Sequence, residues 1–305
     1  MESGEKLVDV CIATYKRPQL LLKLLTSIVI SSVNMKLVHT IIVVDNDPSG
    51  SGQYAVDEIS KKFPFIKLLY FSQPVKNIAL TRNMAVHESH ADFVAFVDDD
   101  EVVSECWLEN LISALRNHSA DVVFGPVEFS MPASAPSWIG KGKWFKSKRV
   151  FKTGTVLQHG ATSNVLVRRS ALLSLDEVFL DRFGLTGGED TELFYRMYLT
   201  GFKLIFCNDA VVTEEVTETR LTWQWLVKRS FRSGQTYARI FDSRQTLTAY
   251  VFTKCKRLLL TLWFLVLLVP SGILGKSVLV DVACRLSSNL GRILYKDLFL
   301  YNEYK

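Results

Sequence analysis

The sequence has no Cys-x-x-Cys pair, and its five cysteines (Cys11, Cys106, Cys207, Cys255, Cys284) are odd in number and far apart. That spacing excludes a disulfide framework and a thiolate zinc site, and fits reduced thiols in a cytosolic compartment. Eight prolines and sixteen glycines are too few for a collagen-like or linker-dominated chain. No period of roughly 20 to 50 residues recurs, so a solenoid is not expected. The five histidines (His39, His87, His90, His118, His159) are scattered without metal-ligand spacing and read as structural or surface residues. The opening hexapeptide Met-Glu-Ser-Gly-Glu-Lys is polar and lacks the apolar stretch of a signal peptide, so a cytosolic start is expected.

The 305 residues are 48% apolar and 22% charged, close to globular averages and far from a disordered chain. At that length about two domains are expected. The net charge of +5 conceals a division. Residues 220–305 carry fourteen Lys/Arg against four Asp/Glu, leaving twenty-two against twenty-seven in residues 1–219. An acidic body joined to a basic, apolar tail does not suit a nucleic-acid binder, and no nucleic-acid partner is expected.

In the first half, short β-rich runs (7–13, 40–44, 66–71, 93–97 and 121–129) alternate with helical stretches (19–29, 53–62, 78–90 and 105–117). Apolar strands alternating with helices predict a largely parallel sheet covered on both faces. In such sheets ligands bind beyond the carboxyl ends of the strands. Polar residues stand at those ends: Thr14-Tyr15-Lys16-Arg17, Asp45-Asn46-Asp47, the set Asn77, Arg82 and Asn83, and Asp98-Asp99-Asp100-Glu101. One such set alone reads as a solvated loop, whereas four on one rim read as a site. Three adjacent carboxylates repel one another and call for positive charge. Oxygen donors without soft ligands favour Mg²⁺ or Mn²⁺, with a nucleotide diphosphate as natural co-ligand.

With these motifs in order, followed by Gly187-Gly188-Glu189-Asp190 and the 220–234 stretch with Trp223, Arg229 and Arg232, the sequence resembles the family 2 inverting glycosyltransferases. The likeness covers roughly residues 6–240 and, within the family, is strongest to bacterial exopolysaccharide glucosyltransferases of the succinoglycan type. It implies a GT-A fold, a Rossmann-like mixed and mostly parallel sheet with helices on both faces. The implied organisation is a glycosyltransferase domain over 1–220 (nucleotide-sugar half 1–101, acceptor half 102–220) and a helical region over 221–305. The implied activity is metal-dependent transfer of a hexose, glucose by likeness, from a UDP-sugar to a saccharide or polyprenyl-pyrophosphate-linked acceptor.

The resemblance also assigns roles. Asp45 would meet the nucleotide base, with Thr14 and Arg17 around the uridine and its phosphates. Arg82 would meet the diphosphate, for which a guanidinium fork is suited. In the Asp98-x-Asp100 motif, Asp98 would contact ribose or sugar and help hold the ion that Asp100 binds, and Asp99 between them would also contact the nucleotide-sugar. Glu189 would line the donor site, and Asp190 would be the general base. A helix N-terminus favours a charged carboxylate there, although such acids also serve simply as caps. The family's histidine after an Ala-x-Val strand is missing: here Ala210-Val211-Val212 runs into Thr213-Glu214-Glu215, and Glu214 or water would be the third ligand. Asn164 is expected beside the donor sugar. Trp138, Trp144 and Phe145, among Lys141, Lys143, Lys146, Lys148, Arg149 and Lys152, are expected to face the acceptor.

Residues 258–275 carry no charge, follow Lys254, Lys256 and Arg257, and include Pro270-Ser271-Gly272, which is expected to break the run's last third. A span would leave Lys276, Arg285, Arg292 and Lys296 outside, against the positive-inside rule. An interfacial or re-entrant helix at the cytoplasmic face of the inner membrane fits better, with a true span and a buried helix of a soluble bundle as the alternatives. Two other classes stay open: a sugar-phosphate nucleotidyltransferase, which would need a Gly-rich basic signature near the first strand, and a non-catalytic carbohydrate-binding scaffold.

Overall fold

The computed structural model describes residues 7–146, 151–242, 246–295 and 301. The N-terminal hexapeptide, Lys148, Arg149 and Lys296 lie outside the described residues. The chain divides into two compact units, one from residues 7–129 and 151–215, the other from 130–146 and the described residues from 216 onward.

The strands are β1 (Val8–Thr14), β2 (Val38–Asp45), β3 (Leu68–Ser72), β4 (Phe93–Val97), β5 (Glu101–Val103), β6 (Val122–Phe124), β7 (Val127–Ser130), β8 (Asn164–Arg168), β9 (Leu204–Phe206) and β10 (Val212–Glu215). The helices of the first unit are α1 (Pro18–Ile30), α2 (Ser32–Leu37), α3 (Gln53–Lys62), α4 (Ile78–His87) and α5 (Trp107–Asn117); α6 (Ser137–Lys141) lies in the second unit, and α7 (Arg169–Leu173) and α8 (Glu189–Leu199) return to the first. Among the described residues seven strands form one sheet in the order β3-β2-β1-β4-β8-β6-β9, and β5-β10-β7 form a small second sheet. Only β8 runs against its neighbours in the large sheet.

Alternate residues of each buried strand feed opposite cores. Val8, Val10, Ile12, Ile41 and Val43 pack with α1, α3 and α5, while Cys11, Ile42, Val44, Val94 and Phe96 pack with α4 and α8. Burial on both faces explains why these strands read as unbroken apolar runs. Between β1 and β4 the direction of chain progression reverses, which opens a crevice at the carboxyl ends of both strands.

The run 121–129 is two strands rather than one. Pro126 has no N–H for a ladder, and a Cβ on Gly125 would stand 2.2 Å from the Ala210 carbonyl oxygen. The bend lets the Pro126 carbonyl accept the Val212 N–H at 3.1 Å and so leads the chain into the small sheet.

The second unit is built on α9 (Trp223–Ile240), α10 (Leu247–Ile273) and α11 (Lys276–Ile293). α11 packs against both of the others. At its crossing with α9 the backbones nearly touch: a Cβ on Gly234 would lie 2.0 Å from the Ser288 oxygen, and one on Gly291 2.1 Å from the Phe231 oxygen. α10 passes through Pro270, contrary to the expected break. A proline within a turn of the helix end forfeits one hydrogen bond, and the helix stops instead at Gly275, whose φ of 111° is open only to glycine. Trp138 meets Trp144 edge to face, and Phe145 stacks on Trp225, so these aromatics pack within their own unit.

Candidate active site

β1 and β2 pair so that Thr14 and Asp45 lie side by side at the rim. Asp45 is fully buried. Its Oδ1 accepts the Asp47 N–H at 2.8 Å; its Oδ2 accepts the Gly52 N–H at 2.6 Å and the Tyr70 hydroxyl at 2.9 Å. Burial and the Asp45 charge push the Tyr70 phenol up, so it stays a donor. These bonds fold the β2–α3 turn, and a carboxylate has about four acceptor positions, so capacity remains for one further donor. Asn46 completes the loop: its amide donates to the Gln73 and Val75 carbonyls, both at 2.7 Å, and its oxygen accepts the Asn77 N–H at 3.0 Å.

β4 runs directly into the acidic turn. Thr14 Oγ1 donates to Asp99 Oδ2 at 2.8 Å, and Arg17 Nη1 donates to Asp99 Oδ1 and Asp100 Oδ2, both at 3.0 Å. Desolvation raises Asp99 to about 6; Arg17 opposes this and Asp100 adds to it. Asp98 is raised too, by desolvation first, against Arg82 and with Asp100 and Asp190, although 40% of its side chain meets solvent, which screens the effect. Glu101, which received no role from sequence, is 1% exposed, and its Oε2 accepts the Asp98 N–H at 3.0 Å. Burial holds it well above the carboxylate range, helped by Asp98, Asp100 and Glu214. Glu214 stands opposite Glu101 across the β5–β10 ladder, which brings it to the acidic turn.

The second half of the site arrives through α4. Asn77 Oδ1 caps that helix by accepting the Ala79 and Leu80 N–H groups, while its amide donates to the Asp181 carbonyl at 3.2 Å. Asn83 exchanges two hydrogen bonds with the Phe179 backbone, at 2.8 and 2.9 Å. Between them Arg82, 10% exposed, joins Asp98 Oδ1 at 3.1 Å through Nη2 and Glu189 Oε1 through Nη1. The three polar residues of this motif therefore fasten residues 179–189 to the rim. Gly187 and Gly188, at φ 75° and 94°, turn the chain into α8 in a region closed to other residues at low cost. Asp190 follows in the first turn. Its Oδ1 accepts the Thr191 N–H at 2.6 Å, and its Oδ2 takes no hydrogen bond among the described residues.

Thr14, Arg17, Asp99 and Asp100 form one hydrogen-bonded set and Arg82, Asp98 and Glu189 a second; the two meet at the Asp98–Asp99 peptide, and the Asp190 charge reaches Asp98. Asn164 is not among them, and its expected sugar contact is corrected. It is 2% exposed, its Oδ1 accepts Trp107 Nε1–H at 2.8 Å, and both amide hydrogens go to the Pro126 and Ala210 carbonyls. Nothing of that amide is left to donate to a sugar; it ties β8 to the bend after β6. Sequence also passed over Lys76, which with Lys16 flanks the Tyr15 ring at 5.0 and 5.2 Å and adds two cations to the rim.

The side chains of the acidic turn and Glu214 offer oxygen donors only, the donor chemistry that suits a hard divalent cation. Among the described residues no three acids or histidines close around one point, and Arg17 and Arg82 supply the countercharge.

The profile of glycosyl transferase family 2 matches residues 9–175. The succinoglycan biosynthesis protein ExoM of Rhizobium meliloti (strain 1021) is 37% identical over 237 residues, 78% of this chain and 76% of that protein. Among solved structures, the mannosyltransferase PcManGT from Pyrobaculum calidifontis, in complex with GDP-Man and Mn²⁺, aligns with a TM-score of 0.67 at 14% identity over 95% of this chain and 88% of its own. S. aureus TarS 1–349 with UDP-GlcNAc aligns at 0.54, also 14% identical, over 94% and 89%. At those identities the two structures speak for the fold alone. The profile covers more than half of the chain, and a relative of substantial identity covers most of it: the chain belongs to glycosyl transferase family 2 and has the GT-A fold.

Proposed function

We propose that the protein is an inverting, metal-dependent hexosyltransferase that moves a sugar, glucose by likeness, from a UDP donor to a saccharide or polyprenyl-linked acceptor in exopolysaccharide synthesis at the cytoplasmic face of the membrane. The observation that carries the reading is the Arg82 bridge, which joins the acidic turn after β4 to the start of α8. One rim then holds the groups for both ends of a displacement. Arg17, Arg82, Lys16 and Lys76 meet the diphosphate, and Thr14 and Asp45 border the uridine. Asp98 meets ribose or sugar, with Asp99 and Glu189 holding the two arginines in place.

Asp190 is the base. The Thr191 N–H fixes Oδ1, and Oδ2 accepts the acceptor's hydroxyl proton as that oxygen bonds to the anomeric carbon. On the opposite side of that carbon the bond to the diphosphate oxygen breaks, and its electron pair leaves with UDP. A single displacement of this kind inverts the configuration. Mn²⁺ or Mg²⁺, held by Asp100, Asp98 and Glu214, would neutralise charge on the departing diphosphate. General-base assistance is worth about 10² to 10⁴ in rate.

The test is nucleotide release from a panel of UDP- and GDP-sugars by the full chain in membrane extracts, with Mn²⁺, Mg²⁺ or a chelator. UDP release from one UDP-hexose, lost on chelation, is expected. Release from GDP-sugars alone, or turnover indifferent to the chelator, would overturn the donor and metal assignments respectively.

A further inference from the structure

The second unit contains a cavity of about 370 Å³ whose wall includes Trp144, Arg257, Leu260, Phe264, Asn289 and Arg292. Arg285 and Asp281 also line it but neutralise each other, since Arg285 Nε donates to Asp281 Oδ2 at 2.8 Å. Arg257 and Arg292 are less well matched. The Arg292 guanidinium lies 3.7 Å from the Tyr237 ring centre, and burial followed by repulsion from Arg257 lowers its pKa. Asp242 is the acid whose field reaches both, and it is shared with Lys254.

Two polar atoms on the cavity's residues are buried without a hydrogen-bond partner among the described residues: the Arg257 Nε donor and the Asn289 Oδ1 acceptor. Asn289 is 4% exposed, and its amide is fixed by donation to the Arg257 carbonyl at 2.7 Å and Thr261 Oγ1 at 2.8 Å. Both atoms are closed to solvent, so what the lining offers a ligand is the positive charge of Arg257 and Arg292, which suits an anion.

The surroundings select the class of anion. Arg257 is the last charged residue before the apolar stretch of α10, and Leu260 and Phe264 carry that stretch into the cavity wall. Beside them, Leu259, Trp263 and Val266 are 69%, 57% and 65% exposed. We infer that this cavity binds the phosphate group of a lipid, with the hydrocarbon chain lying along α10. The site is independent of the donor and base assigned above.

The test is calorimetric titration of the full chain in dilute detergent with farnesyl phosphate, farnesol and inorganic phosphate. Farnesyl phosphate is expected to bind at least about tenfold more tightly than the other two. Arg257→Gln and Arg292→Gln are each expected to weaken it about tenfold, the loss of one charge-assisted hydrogen bond, while Lys256→Gln, outside the cavity, stays within about twofold. Asp281→Asn frees Arg285 and is expected to tighten binding, a gain that misfolding does not produce. Inorganic phosphate binding as well as farnesyl phosphate would make this a free-anion site. Equal losses in Lys256→Gln would reduce it to surface charge. Unchanged affinity in both arginine variants, or no gain in Asp281→Asn, would overturn it.

Discussion

Asp99 carries a desolvation cost in the acidic turn. With 6% of its side chain exposed, it holds a proton up to about pH 6, against 3.8 for an ordinary aspartate. The folded state therefore binds this proton more tightly than the unfolded one. The ionisation penalty is absent below about pH 3.8, grows between the two values, and reaches about 3 kcal/mol above pH 6. Asp99→Asn is expected to melt at a higher temperature than wild type at pH 8, with the difference vanishing near pH 4; equal differences at both pH values would refute the desolvation account. Arg82 has the opposite character. Arg82→Met removes a countercharge from Glu189, 3% exposed, and is expected to cost about 3–5 kcal/mol. Adding Glu189→Gln should recover much of that loss in a double-mutant melting series. Thr14, Asp45 and the 98–100 acids stand out in the sequence because each set follows an apolar run; Arg82, Glu189 and Asp190 do not, and only the resemblance singles them out. Asn164 misled because a buried amide that ties a sheet bend has the same local signature as one that meets a sugar. Glu101 stood in plain view beside the triplet, but only the β5–β10 pairing makes it the buried neighbour of Asp98 and Glu214.

Among the elements, α4 links the two halves of the site. Asn77 serves it twice, as helix cap and as tie to the Asp181 carbonyl, and no Cβ is tolerated on Gly184 because it would meet Asn77 Oδ1. Asn77→Ala is expected to lose about 1 kcal/mol of stability through the cap and to lower turnover by more than that stability change explains, since residues 179–189 then drift from the rim. A turnover loss fully restored by cooling to equal folded fraction would reduce Asn77 to a simple cap. Strands β1 to β4 and helices α1, α3, α4 and α5 were readable from periodicity, within a few residues at their ends. The bend between β6 and β7 was not, because it is set by contact with residues 164 and 210, far along the chain. α11 was equally hidden: its mixed apolar and polar faces have meaning only against α9, through the Gly234–Gly291 crossing, and against α10.

For the whole molecule, an acidic glycosyltransferase unit shares the chain with a unit that displays an uncovered apolar helix. Thr248–Ile273 has the length and hydropathy of a membrane segment, with only 6% of its most apolar window buried, which is not how a soluble protein's core helix sits. Val266→Asp with Val269→Asp, at positions 65% and 77% exposed, is expected to move the protein from the membrane to the soluble fraction on vesicle flotation while leaving UDP release from the donor intact. Continued flotation with vesicles would contradict the assignment of α10 as the membrane-binding element. The account as a whole depends on Asp190 acting chemically on a donor held by the acidic turn. The most direct measurement takes one preparation of Asp190→Asn and determines both its UDP affinity and its rate of UDP-sugar turnover. The account predicts UDP bound within about twofold of wild type and turnover lowered by about 10² to 10⁴. Turnover at the wild-type rate, with UDP still bound, would contradict it.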